Sequence, residues 1–387
     1  MKKSYLMIAA AAALFAACSN TDTLKEIETQ ESAISFKPFT EKVTRSAIVG
    51  TTGTSSVTGI KTLAEEGGFV VYGYKSKDDF STKESPDIFD GKNVYWDSQN
   101  SVWKYDGLRF WDKNATYNFY AVAPYNPTDG ATYSIQGDPS AANFGRITIT
   151  GATSARYDTS DDHLIDRDGN KGVLGSTHTS GTNDNVHMDF HHVMAKLNFA
   201  IKSTLSSGTI TVTNLSMTGW NSGAGTFTQD LSITGAPSGI TCAEWNIPTA
   251  GTTGITLIGG SATDQSIAVT CGTTPATTAN NYGDYVKDVQ DWYIMVPQAI
   301  TCTKDANNQP TAGLTFTVTY TYNDGAEQNP YIETFTNQVS IVPSNQTWGT
   351  DSYTKYTLDI KPEEIKFDVT TICSFDVDGG DISHTVK

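Results

Sequence analysis

Between Ile365 and Val377 the chain alternates. Ile365, Phe367, Val369, Thr371, Cys373, Phe375 and Val377 fall on one side, and Lys366, Asp368, Thr370, Ile372, Ser374 and Asp376 on the other. A period of two predicts a β-strand with one face buried and one in water. At about 3.3 Å per residue this strand would span roughly 43 Å, beyond the usual length of about five or six residues. Two readings fit. The stretch is two consecutive strands joined by a bulge near Thr370 and Thr371, or part of it is added to the sheet of a neighbouring subunit.

The same period recurs from the N-terminal side. Ala33 to Phe39 predicts a short strand, with Ile34 and Phe36 on one face and Pro38 marking an edge or a stop. Phe69 to Tyr74 predicts another, Val94–Trp96 and Val102–Tyr105 flank a turn at Asp97–Asn100, and Thr116 to Ala123 continues the meander. Further strands are expected at Thr209–Leu215, Ile255–Ile258, Ser266–Val269, Trp292–Gln298 and Leu314–Tyr322, with Asn323-Asp324-Gly325 as a hairpin-type turn. Long amphipathic helical patterns are missing. Short strands and frequent turns predict an all-β chain built of sandwiches.

One break in phase divides it. Met188 and Phe190 are apolar at even positions, whereas Val193, Ala195, Leu197, Phe199 and Ile201 are apolar at odd ones. A single strand cannot bury both sets on one face, so a bulge or a crossing between domains is expected near His191 and His192. The boundary is drawn there, giving an N-terminal sandwich over 46–187 and a C-terminal one over 188–387.

Composition narrows the function. The 387 residues carry a formal charge of −16 without clustered Lys and Arg, which argues against nucleic acid as a partner. Met1-Lys2-Lys3 and the short apolar run Tyr5 to Ala17 predict a secretory signal peptide over 1–17. Ala17-Cys18 resembles a lipobox, so Cys18 is expected to be acylated and to anchor the chain to a membrane. Ser19 to Ser32 follows as a polar tether. The other cysteines, Cys242, Cys271, Cys302 and Cys373, have no zinc-like spacing. They could form one or two disulfides or stand as isolated thiols.

Candidate chemistry is sparse. Trp96, Trp103 and Trp111 lie among several tyrosines and could form a platform for sugars, but such residues are more often core. Their burial discriminates the two. Ser160 to Asn170 begins like a calcium loop without its closing Glu, and reads as a strand end and a turn. His187, Asp189 and His191 share a strand face at a spacing that could hold a metal. No nucleophile elbow, phosphate loop or metalloprotease motif appears, so no catalytic residue, metal or cofactor is assigned and an enzyme is not expected.

Four blocks carry a family resemblance. They are Leu108-Arg109-Phe110-Trp111 running into Tyr117-Asn118-Phe119-Tyr120-Ala121-Val122-Ala123-Pro124; Phe190-His191-His192-Val193-Met194-Ala195-Lys196-Leu197; Tyr293-Ile294-Met295-Val296-Pro297-Gln298; and Trp348 with Tyr353 to Ile360 and Ile365-Lys366-Phe367. In this order, behind a lipobox, they resemble the fimbrillins, the type V pilins of Gram-negative surface fibres. The resemblance implies two tandem transthyretin-like β-sandwich domains, export as an outer-membrane lipoprotein and a place in a cell-surface fimbria. Thr44-Arg45-Ser46 matches the family's cleavage position, so an Arg-directed protease would cut between Arg45 and Ser46 and free residues 18–45, the tether with its removable strand. Polymerisation by strand exchange would follow, with Ile365, Phe367, Val369, Cys373, Phe375 and Val377 as the donor face. Implied partners are other pilin subunits, the outer membrane through the lipid, and a host or bacterial surface ligand. A glycan-binding surface lipoprotein is the alternative.

Overall fold

The computed structural model describes residues 33–39, 63–78, 80, 85–136, 145–159, 161–167, 169–178, 185–235, 241–271, 286–307, 310–326, 332–340, 345–361 and 364–372, with 332–340 and 364–372 as backbone alone. The chain is all-β. Its strands run β1 Phe36–Phe39, β2 Phe69–Ser76, β3 Phe89–Asp97, β4 Val102–Lys104, β5 Thr116–Ala123, β6 Thr132–Gln136, β7 Arg146–Ala152, β8 Ala155–Arg156, β9 Leu164–Asp166, β10 Asn170–Leu174 and β11 Val186–His192. They continue as β12 Ala195–Lys202, β13 Thr209–Thr218, β14 Gly225–Thr228, β15 Trp245–Asn246, β16 Ile255–Ile258, β17 Ile267–Thr270, β18 Val286–Asp288 and β19 Tyr293–Met295. The last are β20 Gln298–Ile300, β21 Thr303–Lys304, β22 Pro310–Ala312, β23 Thr315–Asn323, β24 Ile332–Ser340, β25 Gln346–Trp348, β26 Ser352–Lys361 and β27 Glu364–Ile372.

The first large sheet has the order β1-β11-β9-β5-β2-β3-β4, with β10 beside β5. Its central strands β2 and β5 are buried on both faces, which is why Phe69–Tyr74 and Tyr117–Ala123 read as nearly unbroken apolar runs. Phe69, Val71, Phe119 and Ala121 point into a core shared with Ile34, Phe36, Phe89, Trp111, Met188 and Phe190. Val70, Tyr72, Tyr120 and Val122 point the other way, onto Ile147, Ile149, Phe227 and Trp245. These last four belong to the sheet β15-β14-β7-β6.

The second half stacks two sheets, β27-β26-β12-β19-β8 with β18 beside β12, and β16-β13-β23-β24 with β17 beside β13. Between them lie Leu197, Phe199 and Ile201 from β12, Ile210, Val212, Leu215 and Met217 from β13, and Phe316, Val318 and Tyr320 from β23. The apolar residues of β13 change parity after Val212. The register explains it: Val212 faces Tyr320 and Asn214 faces Thr319, so Thr213 is an extra residue in a bulge and the strand keeps one face on the core. The hairpin of β23 and β24 closes at Asn323 and Ile332, so Asn323-Asp324-Gly325 begins a longer loop instead of forming a two-residue turn.

The phase break near His191 has a similarly concrete cause. β11 belongs to the first sheet and β12 to the second half, and between them Val193 and Met194 enter the middle core. The crossing backbone is anchored by hydrogen bonds: Val193 N donates to His163 O at 3.0 Å, Trp245 Nε1 to Val193 O at 2.7 Å, and Asp351 N to Met194 O at 3.1 Å. Strands from both sides of residue 188 also share sheets, since β7 pairs with β14 and β8 with β19. A buried ion pair spans the same divide, with Arg167 Nη1 2.7 Å from Glu244 Oε1 and Nη2 3.0 Å from Oε2.

Candidate functional site

β1 stands at the edge of the first sheet, and its sequence suits that place. Ile34, Phe36 and Pro38 face inward at a period of two, while Ala33 and Lys37 are exposed. Proline is tolerated in a sheet chiefly at an edge, where no ladder partner misses its N–H. The strand runs parallel to β11, with Phe36 opposite Val186 and Phe39 opposite Asp189. Val186 N donates to Ser35 O at 2.8 Å.

The residues leading into β1 meet, on their other side, the segment that follows β4. Ile34 N donates to Arg109 O at 2.8 Å, and Ala33 bridges Phe110. The Tyr105 hydroxyl donates to Ile34 O at 2.8 Å and accepts from Arg109 N at 3.2 Å. Burial pushes the Tyr105 pKa up, which keeps the hydroxyl a donor. β1 therefore joins β11 at one end of the sheet to the segment after β4 at the other. Its apolar cargo is held tightly. The Phe36 ring lies 5.2 Å from Phe89, 5.6 Å from Phe119 and 5.8 Å from Tyr105, edge-on to each. Burial of Ile34 and Phe36 contributes about 1.5–3 kcal/mol each, an upper bound because the unfolded chain is already partly compact.

If β1 left, a groove would remain whose floor is this aromatic box and whose walls offer Val186 N, Arg109 O and the Tyr105 hydroxyl. Unpaired strand edges of that kind are templates for another strand. The sequence reading missed Tyr105 and Val186 as walls of the site. Tyr105 had a signal in its inward parity with Trp103, but a hydroxyl's partner across the sheet is set by tertiary pairing.

Of the residues expected to carry the donor face, Ile365, Phe367 and Val369 lie in β27, opposite Ile360, Leu358 and Tyr356 of β26. β27 is the edge strand of the chain's own second-half sheet. Cys18, Arg45, Ser46, Cys373, Phe375 and Val377 lie outside the described residues.

The other candidates resolve into structure. Trp111 is 1% exposed and packs edge-on to Tyr117 at 4.8 Å. Trp103 is half-buried against Phe69 at 5.3 Å, and Trp96 rests on Trp103 at 5.5 Å. His187 is exposed, His191 Nε2 lies 3.7 Å from Asp189 Oδ2, and His192 Nδ1 lies 2.7 Å from Asp162 Oδ2. Asp161 Oδ2 accepts from Thr128 Oγ1 at 3.0 Å and Asp129 N at 2.6 Å, so this carboxylate of the calcium-like stretch fastens a loop. Among the described residues no group of three or more His, Cys, Asp or Glu side chains could hold a metal ion.

The signature of a family described as fimbrillin-like matches residues 58–373. The crystal structure of a fimbrial protein from Bacteroides vulgatus is similar at a TM-score of 0.56 and 19% identity, over 88% of this chain and 98% of that one. The tip fimbrial protein Mfa3 from Porphyromonas gingivalis, with C-terminal truncation, matches at a TM-score of 0.30 and 10% identity, over 78% of this chain and 98% of that one. No curated protein matches the sequence.

Proposed function

The chain belongs to the fimbrillin-like family, and from that premise we propose that it is a subunit or adhesin of a cell-surface pilus, exported as a lipoprotein on Cys18 and assembled by strand exchange after cleavage at Arg45. The observation that carries this reading is the setting of β1. It is an edge strand with two deeply buried side chains, and Arg45 follows it closely in sequence. Cleavage between Arg45 and Ser46 would leave β1 held by noncovalent contacts alone. Its departure would expose the apolar box and backbone groups on both walls, a state that a strand from another subunit relieves. Partners in this reading are other pilin subunits, the outer membrane through the acyl chains, and a surface ligand for any member at the fibre tip. The burial of Trp111 and the packing of Trp103 weigh against the glycan-platform alternative.

Treatment with an Arg-specific protease is expected to give SDS-resistant ladders on unheated gels, absent in Arg45→Ala. A treated chain that stays monomeric would defeat the exchange reading. Anchoring is tested separately: Cys18→Ala is expected to abolish labelling by palmitate and move the protein to the soluble fraction, and unchanged labelling would remove the lipoprotein claim.

A further inference from the structure

Lys92 and Arg109 stand out in a chain whose formal charge is −16. Both line an open cleft of about 290 Å³, together with Ile88, Phe89 and Asp90. Among the described residues neither cation has a carboxylate partner. The Arg109 guanidinium donates through Nη1 to the carbonyls of Gly107 at 2.9 Å and Leu108 at 3.4 Å, and Lys92 makes no ion pair. In so acidic a chain, two positive side chains left without counter-charge in one concavity attract an anion from outside.

A bulge in β3 assembles the cleft. Val71 of β2 faces Lys92 while Gly73 faces Phe89, so Asp90 and Gly91 together oppose Tyr72, with Gly91 at a φ of +63°. The extra residue changes the parity of the strand. Phe89 and Val94 both enter the first core, although one position is odd and the other even. The half-buried Lys92 stands two residues before Val94 and opposite the inward Val71, so it shares their face. Without the bulge Lys92 would project from the face opposite to Phe89. The surroundings are fixed in the uncut chain: Phe89 packs edge-on to Phe36 at 5.2 Å, Ile88 N donates to Gly73 O at 3.1 Å, and Arg109 O accepts from Ile34 N at 2.8 Å. A cleft held in this way costs little to order when a ligand enters.

We propose that the cleft binds a sugar ring bearing a carboxylate, a uronic acid residue of a surface glycan. Lys92 and Arg109 take the carboxylate through charge-assisted hydrogen bonds. The Asp90 carboxylate accepts from ring hydroxyls, and Ile88 and Phe89 supply an apolar floor for the face of the ring. A bare inorganic anion would satisfy the two cations but set like charge against Asp90, whereas an acidic sugar brings donors to that side. The volume lies at the lower end of small-molecule pockets, which run to roughly 300–1,000 Å³, and suits a single ring. The site is separate from Trp96, Trp103 and Trp111, and it does not depend on strand exchange.

Titration calorimetry of the uncut full chain at low ionic strength, with methyl glucuronide, methyl glucoside and acetate as probes, tests this. The glucuronide is expected to bind about tenfold more tightly than the glucoside or acetate, the size of one charged hydrogen bond. Lys92→Gln and Arg109→Gln are each expected to weaken it by about tenfold, and Asp90→Asn to weaken the glucuronide while leaving acetate unchanged. Circular dichroism checks the fold of each variant, and the comparison of probes on the unsubstituted chain stands without them. Equal binding of glucuronide and glucoside would deny the cations a role. Acetate as tight as the glucuronide would leave an anion site with no sugar, and glucuronide binding unchanged in both Lys92→Gln and Arg109→Gln would place the ligand elsewhere. Each of these outcomes overturns the proposal, as does a chain that binds none of the three.

Discussion

A single hydroxyl, that of Tyr105, holds Ile34 O and Arg109 N at once. Tyr105→Phe keeps the ring but takes the hydroxyl from the buried Ile34 carbonyl, at a cost of about 1–3 kcal/mol. Urea unfolding of the uncut protein should register that loss, and an unchanged midpoint would mean the carbonyl is satisfied otherwise. A larger loss is expected at Arg167 and Glu244, whose side chains are 0% and 2% exposed. Removing one partner of a buried pair leaves a charge uncompensated, so Glu244→Gln should destabilise by roughly 3–5 kcal/mol. Asp129 predicts a dependence on acid. Burial alone would raise its carboxyl pKa, but the His163 ring 3.0 Å away and the N–H groups of Ala131 and Thr153 outweigh burial and hold it below the ordinary value. The sign follows from the depressed pKa: the stabilisation is complete above the unfolded value of about 3.9 and fades as pH falls through the folded one. Tm should therefore decline more steeply below about pH 4 in the wild type than in Asp129→Asn.

Among the elements, Gly68 admits the chain to β2 with φ of +103°, and a Cβ there would run into the carbonyl of Val94. Gly68→Ala should cost about 1–3 kcal/mol through that strained conformation, with more from the clash. Thermal melts would show it, and a neutral effect would mean that β3 yields freely. The sequence marks Thr116–Ala123 and Ile255–Ile258 to the residue, because apolar patterning and flanking turns agree there. It marks the parity break after Phe190 for the same reason: side chains must follow whichever core they enter. What it hides is pairing at a distance. β8 is two residues long and carries no period, yet it joins β19; β14, only four residues long, pairs with β7. The parallel contact of β1 with β11 is equally silent, since an alternating strand specifies a buried face but not a neighbour. The tail shows both sides of this. Its alternation is legible for thirteen residues, while the pairing of β27 along β26 is not.

At the scale of the whole molecule, the boundary expected near residue 188 is bridged by shared sheets and by the middle core. A fragment beginning at Val186 keeps the residues between the two second-half sheets, but exposes Phe227, Trp245, Trp292 and Val296, whose partners include Val70, Tyr120 and Ile149. It is expected to unfold cooperatively at a lower temperature than the full chain and to bind a hydrophobic dye. A fragment with no transition would place the folding unit elsewhere. In a filament built by strand exchange, the nine-residue ladder of β27 on β26 would also set how the fibre meets fluid drag. Tension applied at Ile372, the last residue of the paired ladder, would act along the axis of β27 and load its hydrogen bonds together, as a lap joint carries shear, so detachment would be governed by one large barrier to forced unfolding. Pulled from that point, β27 should hold and then release in one abrupt step; a staircase of small extensions would mean that the joint peels.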